Sequence, residues 1–205
     1  LTLVTNESES ISYYISNNLE ENIIDRYYLS SKGWEHITNA IQINNSGHSI
    51  EEYSFIRSIF SNLDKILDID FQELPNNEGS KLDIYSVNTS STFTTNVVGQ
   101  AIYQESPYGT WFDILWKESD NKFSLNHNDK NTIIHEIGHS LGLSHPNSDP
   151  YNPSWTTDDT VMSYNEGINK KGDWFSQIDL DALINIWGRE NDNGKITLEK
   201  NFNNY

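Results

Sequence analysis

Residues 135–146 read HEIGHSLGLSHP, with three histidines, one glutamate and two glycines in twelve positions. Residues four apart on an α-helix stand one above the other, so His135 and His139 point the same way and can chelate one ion. Zinc takes neutral imidazole nitrogens at about 2.0–2.1 Å, and a helical pair supplies two without further ordering of the backbone. Glu136 follows the first histidine and can reach the far side of a metal-bound water. Gly142 sits where a left-handed residue would end the helix and turn the chain, bringing His145 back towards the same point. Three histidines leave one position of a tetrahedral ion open, as catalytic sites do and closed structural sites do not. A histidine pair alone would also suit a plain surface helix. The full five-residue constellation has a chance occurrence on the order of 10⁻⁵ per chain at these residue frequencies, so zinc binding is the reading it carries.

The rest of the composition fits a metal-dependent globular protein. The 205 residues are 35% hydrophobic and 12% aromatic, enough apolar mass to offset the entropy of ordering in one domain. Thirteen Lys and Arg against thirty Asp and Glu give a net charge of −17, which repels nucleic acid and anionic membrane surfaces and favours cations. With no cysteine, any metal must use nitrogen and oxygen ligands. No apolar run approaches the roughly 18 residues of a spanning helix, so no membrane insertion is expected. The opening LTLVTNESES lacks the basic and apolar regions of a signal peptide, and a targeting or pro-segment is expected outside this numbering.

Outward from the histidines, the pattern is α+β. Residues 11–15 (ISYYI) have strand composition. Ser49 and Glu52 form a capping box ahead of Tyr53, Ile56, Phe60, Leu63 and Leu67, which predicts an amphipathic helix over 50–67 packed on a sheet. Strands are expected at 68–74, 82–87, 97–103 and 111–116. The histidine helix is expected over about 129–142 with Asp129 as its cap, and another opens at Ser176 with Asp179 in its first turn. That helix's expected apolar face is Ile178, Ala182, Leu183, Ile186 and Trp187, ended by Gly188. Residues 19–48 read as mixed turn and short helix.

His135, Glu136, His139, Gly142 and His145 fit the HExxHxxGxxH pattern of the metzincin metallopeptidases. That family places a methionine turn beneath the metal, and the chain's one methionine, Met162, lies in TVMSY seventeen residues after His145. Pro146 directly after the third histidine and Tyr164 two after Met162 resemble the serralysins, the secreted bacterial branch. The resemblance covers roughly 49–188, and more loosely 11–15. It implies one catalytic domain over 1–205, with a mixed twisted sheet, a backing helix, a zinc helix, a smaller part from 143 to 205 and a closing helix. Residues 19–48 look like an insertion.

On that resemblance, zinc would lower the pKa of its bound water towards about 7, and Glu136 would take the proton as the water attacks a peptide carbonyl. Tyr164 would be a fifth ligand at rest, then swing away to donate a hydrogen bond to the oxyanion. Met162 would form a floor without touching the metal. Gly99, Gln100, Ala101, Ile102 and Tyr103 resemble the edge strand on which the family lays out its peptide substrate. A secreted monomeric endopeptidase acting on proteins or peptides follows. The competing reading is a zinc-bearing module that binds peptides without cutting them.

Serralysins also carry calcium-binding, glycine-rich nonapeptide repeats, and the chain contains none, so stability or export by that route is not expected. Calcium has no clear motif: the tail ENDNGKIT at 190–197 puts Arg189 and Lys200 at the two key ligand positions of an EF-hand, so a turn is expected there. Asp158 and Asp159 could help a calcium ion, but a solvated loop is the default reading. His36, His48 and His127 lack partner spacing and read as surface residues.

Overall fold

The strand Ser10–Ile15 (β1) buries every second residue, Ile11, Tyr13 and Ile15, as a one-sided strand should. The computed structural model describes residues 9–119, 125–169 and 172–190. In chain order follow β2 (Glu21–Ser30), β3 (Gly33–Asn45), α1 (Ile50–Leu63), β4 (Asp70–Glu73), β5 (Leu82–Ser90), β6 (Gly99–Ser106), β7 (Gly109–Trp116), α2 (His127–Ser140), a 3₁₀ turn (Pro146–Ser148) and α3 (Gln177–Trp187). The α+β class holds, with a mixed seven-stranded sheet among the described residues.

β1 lies between β4 and β5 and runs parallel to both, and β7 runs parallel to β5. β6 is antiparallel to β7, with Gly99 opposite Trp116 and Ser106 opposite Gly109. Both faces of the central strand β5 are covered. Leu82 and Ile84, with Phe112, Ile114 and Trp116 of β7, join a large core against α1, α2 and α3. Tyr85, Val87 and Leu115 face the other way into a second core with Ile24, Ile41 and Ile43.

Those three isoleucines belong to the largest correction. Residues 19–48 form neither a mixed turn nor a short helix but an antiparallel hairpin, β2 and β3, paired from Glu21 with Asn44 to Ser30 with Gly33. Period-2 reading fails there for a physical reason. The register shifts between Ile24 and Arg26, and Asn39 takes a left-handed φ of 56°, so the alternation changes phase mid-strand. Towards its tip the hairpin also leaves Leu29, Trp34 and Ile37 exposed.

Smaller corrections follow from caps. α1 opens at Ser49 with the full capping box but stops at Leu63, because the Asp64 carboxylate takes the Phe71 N–H at 2.9 Å and the chain doubles back. α2 is capped by Asn126, not Asp129, which instead is the third residue of that capping box and returns a bond to the Asn126 N–H. α3 opens at Ser176 as expected, but Ile178 and Ile186 are exposed, and the buried stripe is Asp179, Leu183 and Trp187. The strands reach 90, 106 and back to 109, beyond their expected limits. The tail from residue 191, with its expected turn, lies outside the described residues. Among the described residues no helix is long and apolar enough to cross a membrane.

Candidate metal centre

α2 ends in one glycine-dependent turn. The Leu143 N–H donates to the Gly138 carbonyl at 2.9 Å and the Gly142 N–H to the His139 carbonyl at 3.0 Å, with Gly142 at φ 105°. This is a Schellman end, which residues with a Cβ rarely form. The reversed chain then presents His145 to the helix. Pro146 disfavours helical geometry in the residue before it, and His145 is extended at φ −58°, ψ 145°.

The outcome is a convergence of three imidazoles. His145 Nε2 lies 3.2 Å from Nε2 of both His135 and His139. One ligand nitrogen from each of the three falls within 4.8 Å of the others. A tetrahedral ion with bonds of about 2.0–2.1 Å sets its ligand nitrogens roughly 3.3–3.4 Å apart, so the three residues fit zinc. Their other nitrogens are committed: His135 Nδ1 lies 2.8 Å from the Val161 carbonyl, and His139 Nδ1 lies 3.0 Å from the Leu143 carbonyl. Carbonyls accept, so both rings carry hydrogen at Nδ1 and aim bare Nε2 lone pairs inward. Burial, reinforced by its neighbours His139 and His145, pushes His135 down to about 3, and burial also lowers His139 and His145. All three are neutral donors at physiological pH.

Glu136 is 5% exposed. Burial pushes its carboxyl up to about 8, opposed by a hydrogen bond from the Ala101 backbone N–H. A carboxyl placed this way both takes and returns protons near neutrality. Gly99 makes the approach possible, since a Cβ there would stand 2.5 Å from Glu136 Oε1 and 2.7 Å from Thr132 Cγ2.

Tyr164 packs beside the histidines. Its ring centroid is 5.3 Å from that of His135 and 5.1 Å from that of His145, and Tyr151 packs edge-on against it at 5.3 Å. Burial and the nearby Glu136 raise its hydroxyl pKa. Met162 is buried beneath α2, its sulfur 3.0 Å from where a Cβ on Gly138 would be. Of the expected substrate strand, β6 pairs with β7 on one side and with no strand on the other among the described residues. Gly99 and Ala101 meet Glu136. The Gln100 side chain accepts from Thr92 at 2.8 Å, Ile102 is buried in the second core, and Tyr103 packs on Phe112. Ile102 can offer a ligand its backbone alone, whereas Tyr103 keeps an exposed side chain.

Part of this chain is similar to a serralysin. The relative is from Photorhabdus luminescens, 31% identical in a match that takes in 43% of this chain and 22% of the relative. This chain therefore spans about a fifth of the relative's length. No family model matches. The similarity agrees with a metallopeptidase relation.

Sequence reading missed the residues that hold the ligands. Val161 and Leu143 act through backbone carbonyls, which leave no trace in side-chain identity. Asp179 is buried and accepts from the Val161 N–H at 3.0 Å, the Thr160 hydroxyl and the Ser176 N–H at 2.9 Å. Its place in the Ser176 capping box was the available signal. His48 is a correction: it is half-buried, with Nδ1 2.7 Å from the Ser16 carbonyl and Nε2 accepting from Trp116 Nε1 at 3.1 Å. His36 and His127 stay near the surface, paired with Asp25 and Asp173. Asp159 accepts from Thr156 and Asp158 from Asn169, so both carboxylates serve to fold their loop.

Proposed function

We propose that this chain is the catalytic part of a secreted, serralysin-like zinc endopeptidase of the metzincin kind. The observation that carries the reading is the convergence of three neutral imidazoles on one point, with the buried Glu136 carboxyl beside it. His135, His139 and His145 would hold the ion. Zinc, when bound, supplies the Lewis acidity that makes water a nucleophile at neutral pH.

The chain's own residues do the rest. Glu136 takes a proton from the attacking water and passes it to the leaving amine, and the Ala101 N–H orients its carboxylate. The free edge of β6 over 99–103 receives an extended peptide by backbone pairing, which gives affinity largely independent of sequence. Tyr164 would be a further ligand of the ion at rest, and its hydroxyl donates a hydrogen bond to the oxyanion. Met162 and Gly138 pack the floor.

Hydrolysis of casein or a quenched peptide by the zinc-loaded protein, abolished in Glu136→Ala with zinc retained, is the expected result. Zinc retention with no turnover in the native protein would leave a peptide-binding module and overturn the reading. Inhibition by a hydroxamate separates an open metal position from a closed structural one.

A further inference from the structure

The hairpin β2–β3 roofs a cavity of about 740 Å³ on the sheet face opposite α2. Its floor is acidic. Asp83 of β5 and Asp113 of β7 are register partners on adjacent parallel strands, 4% and 2% exposed. Strand alternation sets them on the same face as Tyr85 and Leu115, away from the zinc helix. Asp113 accepts from Gln104 Nε2 at 2.7 Å, whereas Asp83 Oδ1 is buried with no hydrogen-bond partner. Two neighbouring carboxylates are costly to bury, and the attraction of Arg26 offsets part of that cost at Asp113. Burial and Asp113 push Asp83 up to about 8, and burial pushes Asp113 up to about 6. The cationic side chain in the lining, Lys81, donates to the Thr110 carbonyl at 3.2 Å.

The walls are aromatic: Tyr27, Tyr85, Tyr108 and Trp111 line the space, with Tyr108 90% exposed at its mouth. We propose that this cavity binds an organic cation, an alkylammonium or guanidinium group, whose charge seats against Asp83 and Asp113 while its carbon body lies among the tyrosines and Trp111. Aromatic faces attract cations through their quadrupoles, and a net charge of −17 draws cations towards the molecule. A cation that donates to Asp83 Oδ1 removes the cost of leaving that atom unpaired. The volume is that of a small-molecule site and far exceeds the space of one ion.

The test is calorimetric titration of the zinc-loaded full chain with agmatine and, separately, with an acetylated and amidated arginine tripeptide. Saturable one-to-one binding of either supports the proposal, and which one binds distinguishes a free small cation from a peptide side chain. At least tenfold weaker binding is expected in Asp83→Asn, and two- to fivefold weaker binding in Tyr108→Ala, with peptide hydrolysis unchanged in both. Binding of neither probe overturns the proposal, as does affinity that survives Asp83→Asn or displacement of the probe by micromolar calcium. Should Asp83→Asn fail to fold, Tyr108→Ala decides, since unchanged affinity there overturns the site. The calorimetric readout does not depend on turnover, so it stands apart from the peptidase reading.

Discussion

His135 is held by the Val161 carbonyl at 2.8 Å, and the Val161 N–H is held in turn by Asp179 at 3.0 Å. A capping residue of the closing helix is thereby two hydrogen bonds from a candidate metal ligand. Asp179→Ala removes the acceptor for the Ser176 N–H, Thr160 hydroxyl and Val161 N–H together. Losing the cap and orphaning a buried donor costs about 2–4 kcal/mol, a fall of roughly 5–15 °C in Tm for a domain of this size. Zinc affinity, measured by competition with a chelator, is expected to fall 10–100-fold as outer-shell losses do. Reduced Tm with unaltered zinc affinity would show that Val161 keeps its place without Asp179.

Gly99→Ala tests the seating of the base. The added Cβ meets Glu136 Oε1, Glu136 Cγ and Thr132 Cγ2, all nearer than 3 Å. Displacing a reacting group by about 1 Å costs on the order of 10²-fold in rate. We expect kcat to fall by about that factor while zinc content measured by atomic absorption is retained.

Tyr164→Phe keeps the ring contacts with His135, His145 and Tyr151 and deletes the hydroxyl. Removing an oxyanion donor costs on the order of 10²–10³-fold in kcat. Steady-state kinetics should show that loss with little change in KM, and no kinetic change would remove Tyr164 from the mechanism.

His48 sets an acid limit on stability. Half-buried between Tyr53 and Trp116, it is held neutral, its pKa pushed down to about 4 by desolvation. An unfolded histidine titrates near 6.5. Above pH 6.5 neither state carries the proton; as pH falls from 6.5 to 4 the unfolded chain takes it up first, and stability declines by up to about 3 kcal/mol. His48→Gln should flatten that acid limb. Urea midpoints at pH 7 and pH 5, taken for both proteins in chelator, measure the difference. Parallel curves would mean that other groups set the acid limit.

The convergence of His135, His139 and His145 was legible because it follows from side chains at fixed spacing and a left-handed Gly142. The one-sided strand β1 and the α1 and α3 capping boxes were equally readable, since each is a local pattern. What escaped was non-local. No spacing announces that the Val161 carbonyl orients His135, or that Gly138 is small so that Met162 can approach. Trp116, 68 residues from His48 in sequence, turns a lone histidine into a hydrogen-bonded, half-buried one. The hairpin was hidden because its bulge at Asn39 breaks the alternation that identifies strands.

β3 joins the rest of the sheet through a short register, Ile43 with Ser90, Asn44 with Thr89 and Asn45 with Val87, while the zinc helix packs on the far side. Such an attachment defines a cooperative unit that opens at less free energy than the whole molecule. Amide exchange should therefore run faster in β2 than in β5 and α2. The protein would thus breathe on one face while the face that carries the three histidines stays closed.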